Sequence, residues 1–214
     1  MKYKNKILQI SCDGGAATGK STGAKMVAKK YKLKFLSSGL LYRYAGYLVL
    51  KHKPKDKIKF LKLKFKHLNY KKIEKINLHT PKISQYSAVI AKIGTVRKVL
   101  KKFQIDFSKT YKYCCIEGRD ISTKILPKSN IKFFFKCNIN IASNRRYNEL
   151  RKKNIQVRLS DVKKALRIRN ISDTKRKNSP LLKHRDSVVI DTGKLNKQAM
   201  LKKMSKCVQK VLEK

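Results

Sequence analysis

The chain has few acidic residues, few prolines and no tryptophan. Its 214 residues include 12 Asp and Glu and 4 Pro, against 56 Lys and Arg, which gives a formal net charge of +44. No long uncharged apolar run is present, so we expect no transmembrane helix. The first residues are charged and lack the apolar core of a secretory signal, so we expect a cytoplasmic protein.

The cysteines and histidines do not form a metal-site pattern. The chain has five Cys and four His, no C-x-x-C motif, and no clustering of the two residue types in the sequence. We expect all five (Cys12, Cys114, Cys115, Cys137 and Cys207) to be small buried side chains, because three of them lie in apolar, strand-like runs. We therefore expect no built-in metal site.

The strong positive charge supports two interpretations. A basic chain of this kind is typical of nucleic-acid-binding proteins. However, lysine outnumbers arginine about four to one and is dispersed from end to end, which favours a lysine-rich solvated surface. We expect nonspecific adhesion to RNA at low salt from charge alone, and no specific nucleic-acid partner.

The most informative segment is residues 14–21, which match G-x-x-x-x-G-K-[ST], the phosphate-binding P-loop. An apolar run at 7–12 precedes it and a helix-like segment follows it, which is the context that the motif requires. Glycines let backbone N–H groups converge on a phosphate at the positive end of a helix. Lys20 then reaches the β/γ-phosphates, and the Ser21 hydroxyl ligates Mg²⁺. The residues predicted to bind ATP are Gly14, Gly15, Ala16, Ala17, Thr18, Gly19, Lys20, Ser21 and Thr22.

Strands and helices alternate along the chain. Apolar runs predict strands at 6–12, 33–36, 113–116, 131–135 and 187–191, with helices between them and after the last. This order predicts an α/β fold: a P-loop NTPase core with a parallel sheet flanked by helices. Ligands bind beyond the carboxyl ends of such strands, so we expect the P-loop, residues 37–39, residues 117–120 and Asp191 at one edge.

The sequence also predicts the secondary structure of two segments between these strands. Residues 53–80 alternate lysine with apolar residues, which predicts short antiparallel strands of an inserted lobe. Residues 84–107 show helical spacing of apolar side chains and are predicted to form one helix.

Arginines at motif positions indicate anion binding. They are Arg43, one turn into the helix after residues 37–39, Arg97, and Arg119, next to Asp120. An arginine guanidinium binds phosphate through two parallel hydrogen bonds. Taken singly, each of these three arginines is more simply explained by a surface ion pair. A further cluster at 145–176 is typical of a mobile lid over phosphates, and its ordinary alternative is a solvated helical hairpin.

Together these motifs resemble cytidylate (CMP) kinase of the bacterial type, from about residue 6 to 200. The family's patterns are matched by residues 10–14, by Ser-Gly-x-x-Tyr-Arg at 38–43, by Val-Arg at 96–97, and by Glu-Gly-Arg-Asp-Ile-x-Thr at 117–123. The Arg-x₃-Asp-x₂-Arg pattern is matched by Arg169, Asp173 and Arg176, with Pro-Leu at 180–181.

The resemblance implies a fold, a reaction and residue roles. It implies one kinase domain over 1–214, with a core at 1–50, 84–142 and 187–214, a small NMP-binding insertion at 51–83 and a helical lid at 143–186. It implies γ-phosphoryl transfer from ATP to CMP or dCMP with Mg²⁺ held by Ser21, in a monomer. The implied CMP-binding residues are Ser38, Arg43, Arg97, Arg119, Asp120, Arg169 and Asp173. The implied catalytic residues are Lys20, Arg119, Arg169 and Arg176.

The chain departs from the family pattern at several positions. Ala88 stands where the family usually has Ser, Asn170 where it has Asp, and Ser122 where it has Gly, and the insertion is short. Two other readings remain open: another small-molecule P-loop kinase, acting on UMP, shikimate or dephospho-coenzyme A, or a basic RNA-binding protein. In the roles that the resemblance implies, Ser38 and Asp120 favour a pyrimidine nucleotide over shikimate or dephospho-coenzyme A.

Overall fold

The computed structural model describes residues 7–213. In chain order its elements are β1 (Leu8–Gly14), α1 (Lys20–Lys30), β2 (Lys34–Ser37), α2 (Ser38–His52), α3 (Lys57–Lys66), α4 (Tyr70–Glu74), α5 (Pro81–Ile90), α6 (Gly94–Thr110), β3 (Tyr113–Gly118), a π-helical turn (Ile121–Ile125), β4 (Ile131–Lys136), α7 (Ile139–Arg151), α8 (Leu159–Lys175), β5 (Val188–Asp191) and α9 (Lys197–Leu212). The chain divides into two compact units, Met1–Leu36 with Lys112–Lys214, and Ser37–Tyr111.

The first unit is built on a five-stranded sheet in the order β2-β3-β1-β4-β5. The pairs β1–β3, β1–β4 and β4–β5 are parallel, which confirms the predicted α/β fold with a parallel sheet. β1 is therefore central, and the loop that follows it leaves the middle of the sheet at its carboxyl edge.

Apolar spacing explains how α1 and α9 cover this sheet. On α9 the buried residues Met200, Met204 and Val208 recur every fourth position, which places them on one face. They pack with Val27 of α1 and Phe133 of β4 in one core, which also includes Cys12 and Cys115. Cys114 is buried as well, so the prediction of buried cysteines is confirmed for these three, whereas Cys137 and Cys207 are only partly buried.

The helices α7 and α8 form a hairpin with its own apolar contacts. Leu150 of α7 packs with Val162 and Leu166 of α8, and Ala16 of the P-loop belongs to the same cluster. The hairpin therefore lies directly against the P-loop within the first unit.

The second unit, Ser37–Tyr111, is helical in the structure. Here α2 packs on α5 and α3 packs on α6. A Cβ on Gly46 of α2 would lie 3.5 Å from the backbone nitrogen of Ser87, so the small residue lets α2 and α5 approach closely.

The predicted antiparallel strands at 53–80 are wrong, because this segment forms α3 and α4. The Asp56 carboxylate caps α3 by accepting hydrogen bonds from the backbone N–H groups of Ile58 and Lys59. Leu61 and Phe65, four positions apart, are buried, whereas Leu63 between them is 63% exposed. The segment therefore follows the helical period, and the intervening lysines are good helix formers.

The single helix predicted over 84–107 is also wrong, because the structure contains two. α5 begins earlier, at Pro81, where Thr80 accepts a hydrogen bond from the Ile83 N–H and proline occupies the first turn. α6 begins at Gly94 after a break, with Ile93 as its N-terminal cap residue. Among residues 7–213 no helix has the length and apolarity needed to cross a membrane.

Candidate active site

The P-loop joins β1 to α1 through a backbone that only small residues allow. Gly19 has a positive φ of 75° and caps the N-terminus of α1. A Cβ on Gly14 would lie 2.5 Å from the carbonyl oxygen of Phe135 on the neighbouring strand, so glycine is required there. The loop thus places backbone N–H groups at the positive end of α1, which is the arrangement that binds phosphate.

Lys20, the first residue of α1, lies in a buried ion pair. Its ammonium contacts the carboxylate of Glu117 at the end of β3, and both side chains are almost completely buried. Burial lowers the pKa of Lys20, and the Glu117 carboxylate opposes that shift. The other Glu117 oxygen accepts a hydrogen bond from the Ser21 hydroxyl at 3.1 Å, so Glu117 contacts both polar side chains at the end of the P-loop motif.

Asp13, at the end of β1, fastens the segment that follows β3. Its carboxylate accepts hydrogen bonds from the Ile121 N–H (2.8 Å), the Ser122 N–H (2.7 Å) and the Ser122 hydroxyl (2.6 Å). Burial raises the pKa of Asp13, and these hydrogen bonds oppose the rise. The π-helical turn begins at Ile121, so Asp13 fixes the backbone directly after Arg119 and Asp120.

α8 reaches the same segment through charged side chains. Asp173 accepts a hydrogen bond from Arg119 Nε at 2.8 Å and lies 3.4 Å from Arg176 Nη1. Arg176 Nη2 lies 3.9 Å from the Asp120 carboxylate. Burial alone would raise the pKa of Asp173, but the guanidinium groups of Arg119, Arg169 and Arg176 lower it overall. Five of the predicted site residues therefore form one charged cluster.

Arg145, from the predicted lid cluster, is linked to the P-loop through Thr192. Its guanidinium donates to the Thr192 hydroxyl at 3.0 Å and to the Thr192 carbonyl at 2.8 Å. The Thr192 hydroxyl in turn donates to the Thr18 carbonyl at 2.9 Å. Asp191 ends β5 at the carboxyl edge of the sheet, as predicted, and pairs there with Lys136 at 3.4 Å. The contact with the P-loop is made by the next residue, Thr192.

Three predicted site residues lie in the second unit. Ser38 is buried at the start of α2. Arg43 donates to the Leu78 carbonyl at 3.2 Å and to the Ser84 hydroxyl. Arg97 donates to the Ala91 carbonyl at 3.2 Å, and its guanidinium lies 5.4 Å from the centre of the Tyr42 ring. Within this unit both arginines are thus held in fixed orientations by backbone carbonyls.

The fold and this loop define a P-loop nucleotide-binding protein of the α/β class. Two solved structures share the fold: a protein from Eubacterium ventriosum (TM-score 0.56, 16% identity, 96% of this chain and 99% of that one) and a protein from Thermus thermophilus (TM-score 0.53, 13% identity, 96% and 98%).

Sequence comparison identifies the family within this class. A family model described as cytidylate kinase matches residues 10–210. The cytidylate kinase of Thermosipho melanesiensis is 33% identical over 211 residues, covering 94% of this chain and 96% of that protein. That of Bartonella tribocorum is 34% identical over 199 residues, covering 91% of each. The chain belongs to the cytidylate kinase family, and it is a nucleoside monophosphate kinase.

Sequence reasoning missed two residues that contact the P-loop, Asn170 and Thr192. Thr192 follows the last strand directly, so the strand-end rule that singled out Asp191 also covered its neighbour. Asn170 was noted only as a departure from the family pattern, because no local pattern shows which side of a helix faces a distant loop.

Proposed function

We propose that this protein transfers the γ-phosphoryl group of ATP to CMP and dCMP, giving ADP and CDP or dCDP. The observation that carries the proposal is the P-loop with its buried Lys20–Glu117 pair, in a chain of the cytidylate kinase family. The acceptor is already a phosphate, whose oxygen is a nucleophile, so the protein needs to position groups and neutralise charge rather than supply a base.

The donor side of the site consists of residues 14–22. In this proposal the loop N–H groups and Lys20 hold the ATP phosphates, and Lys20 leaves Glu117 for the more highly charged phosphate. The oxygens of Ser21 and Glu117 lie 3.1 Å apart, and oxygen donors of this kind suit Mg²⁺. Ser21 would hold Mg²⁺, which would supply charge neutralisation at the β- and γ-phosphates when bound.

The acceptor side is assigned residue by residue. Arg43, Arg97 and Arg119 would hold the CMP phosphate, while Ser38 and Asp120 would hydrogen-bond the cytosine or its neighbourhood. Arg169 would bind the CMP phosphate and Asp173 the sugar, and Arg176 would neutralise charge on the transferring group. We propose 51–83 as the NMP-binding insertion and 143–186 as the lid, whose closure would exclude water and prevent hydrolysis of ATP.

Replacing Lys20 tests the donor side. We expect Lys20→Ala to reduce turnover with CMP by about 10²-fold or more, because it removes a preorganised charge at the phosphates. Coupled assay of ADP release measures the loss, and circular dichroism confirms that the variant is folded. Lys29→Ala, an exposed lysine on the same helix, is the matched control and should retain wild-type turnover. Near-normal turnover of Lys20→Ala would rule out the P-loop assignment.

A further inference from the structure

The side chain of Asn170 on α8 contacts the P-loop backbone. Its Oδ1 accepts a hydrogen bond from the N–H of Ala16 at 3.0 Å. Gly15 lies against the same amide, since a Cβ on Gly15 would be 3.0 Å from Oδ1 and 3.5 Å from Cγ of Asn170. The amide oxygen is thus seated on the loop, against two successive residues.

Asn170 Oδ1 accepts a hydrogen bond from a backbone N–H of the kind that a P-loop donates to phosphate. Backbone N–H groups of a P-loop converge on anionic oxygens, and an amide carbonyl oxygen is a neutral acceptor of similar size. Gly19 and Lys20 lie at the N-terminus of α1, where the helix dipole favours negative charge. Ala16 precedes them in the loop and packs against Val162 and Leu166 of α8, and its N–H donates to Asn170 of the same helix.

We propose that Asn170 occupies the Ala16 N–H in the nucleotide-free enzyme and that the terminal phosphate of ATP displaces it. The inference rests on the proposed function, because it assumes that the P-loop binds ATP. Asn170 is then a positioning residue, which connects occupancy of the terminal-phosphate position to the placement of α8.

The placement of Asn170 on α8 explains what its displacement would change. Asp173, three residues further on, lies on the same face of the helix and pairs with Arg119 at 2.8 Å. α8 therefore makes polar contacts with the P-loop and with the segment after β3, beside the apolar contacts of Val162 and Leu166. Breaking the Asn170 contact removes the polar link between α8 and the P-loop and leaves the Asp173 pair in place. ADP lacks the terminal phosphate, so it would leave the Asn170 contact in place.

Direct measurement of nucleotide affinity tests the proposal. Isothermal titration calorimetry with Mg-ATP and with Mg-ADP would compare the wild type with Asn170→Ala and Asn170→Asp. We expect Asn170→Ala to bind ATP about threefold to tenfold more tightly, because a competing hydrogen bond is gone, with ADP affinity unchanged within about twofold. We expect Asn170→Asp to bind ATP at least about fivefold more weakly, because a carboxylate holds the N–H more strongly and repels phosphate.

The control is Asn148→Ala, which removes an exposed asparagine from α7 and should change neither affinity. An Asn170→Ala variant that binds ATP more weakly, or binds ATP and ADP with equal changes, would overturn the competition. Unchanged affinities in both variants would overturn it as well. Thermal unfolding of each variant verifies that the fold is intact.

This test separates the inference from the proposed function. If the wild type binds ATP but does not phosphorylate CMP, the acceptor assignment fails, and the affinity series still decides the role of Asn170. If the wild type binds no ATP, both fail together.

Discussion

At the scale of single residues, the scarce carboxylates of this chain lie at structural junctions. Asp13 and Glu117 are both almost completely buried, although the chain has only 12 acidic residues. Asp13 receives three hydrogen bonds from the start of the π-helical turn, and Glu117 receives Lys20 and Ser21. A buried carboxylate is stable only when it is paired in this way, so each of these acids fixes the geometry around it.

Replacing Asp13 tests how much this junction stabilises the fold. We expect Asp13→Ala to lower the free energy of unfolding by about 3–5 kcal/mol, because two N–H donors and a hydroxyl lose their buried acceptor. Ser122→Ala removes one of the three bonds and should cost about 1 kcal/mol. Urea unfolding measures both. Asp106→Ala, which breaks an exposed pair with Lys102 at 3.3 Å, is the control and should cost under about 0.5 kcal/mol. Equal effects of Asp13→Ala and Asp106→Ala would contradict the assigned role.

At the scale of elements, the ion pairs of Asp173 supplement the apolar contacts of α8. The pKa of Asp173 is lowered in the folded state, so folding favours its ionised form. The unfolded value is about 3.9, so this stabilisation is complete above that pH and is lost as the pH falls through the lower folded-state pKa.

Because folding lowers the pKa of Asp173, the stability difference between the wild type and an Asp173→Asn variant should depend on pH. We expect the wild type to be more stable than the variant by a constant amount between about pH 6 and 8, and the difference to shrink toward about pH 3. Denaturant unfolding at a series of pH values measures the difference. Asp106→Asn, on the exposed surface, should show no comparable convergence. A difference that grows in acid would contradict the assigned ion pair.

The contact of α1 with β4 depends on a glycine. A Cβ on Gly23 would lie 2.7 Å from the Phe135 ring and 3.2 Å from the sulfur of Met200. We therefore expect Gly23→Ala to destabilise the fold by about 1–3 kcal/mol, despite the higher helix propensity of alanine. Gly39→Ala, in α2, has only a 3.8 Å contact and should be neutral or slightly stabilising in the same unfolding assay. If Gly23→Ala proves as stable as the wild type, the packing described for α1 is wrong.

The elements also show what the sequence could and could not predict. The P-loop, the parallel sheet and the buried strands were predicted, because continuous apolar runs and a local motif determine them. α3 was predicted as strands, because lysine alternates with apolar residues in this segment. The helical signals were the cap residue Asp56 and the four-residue spacing of Leu61 and Phe65. The contact of Asn170 with Ala16 joins residues 154 positions apart, and no local pattern reports such a pairing.

At the scale of the whole molecule, the charge is strongly unbalanced. A net charge of +44 sets most surface lysines against one another, which destabilises the compact state through self-repulsion. Added salt screens this repulsion over a Debye length of about 8 Å at physiological ionic strength.

Stability should therefore rise with salt. We expect the melting temperature to increase by about 3–6 °C between about 20 and 300 mM NaCl in scanning fluorimetry. An uncharged solute at matched osmolality is the control and should produce a smaller change. A melting temperature that falls over this range would mean that attractive ion pairs outweigh the repulsion.

The most direct test of the account is the release of ADP from Mg-ATP with CMP, dCMP, UMP and AMP offered separately. We predict strong activity with CMP and dCMP and little with AMP. Activity with another acceptor alone would leave the fold intact and contradict the proposed substrate. No activity with any acceptor would contradict the proposed phosphoryl transfer altogether.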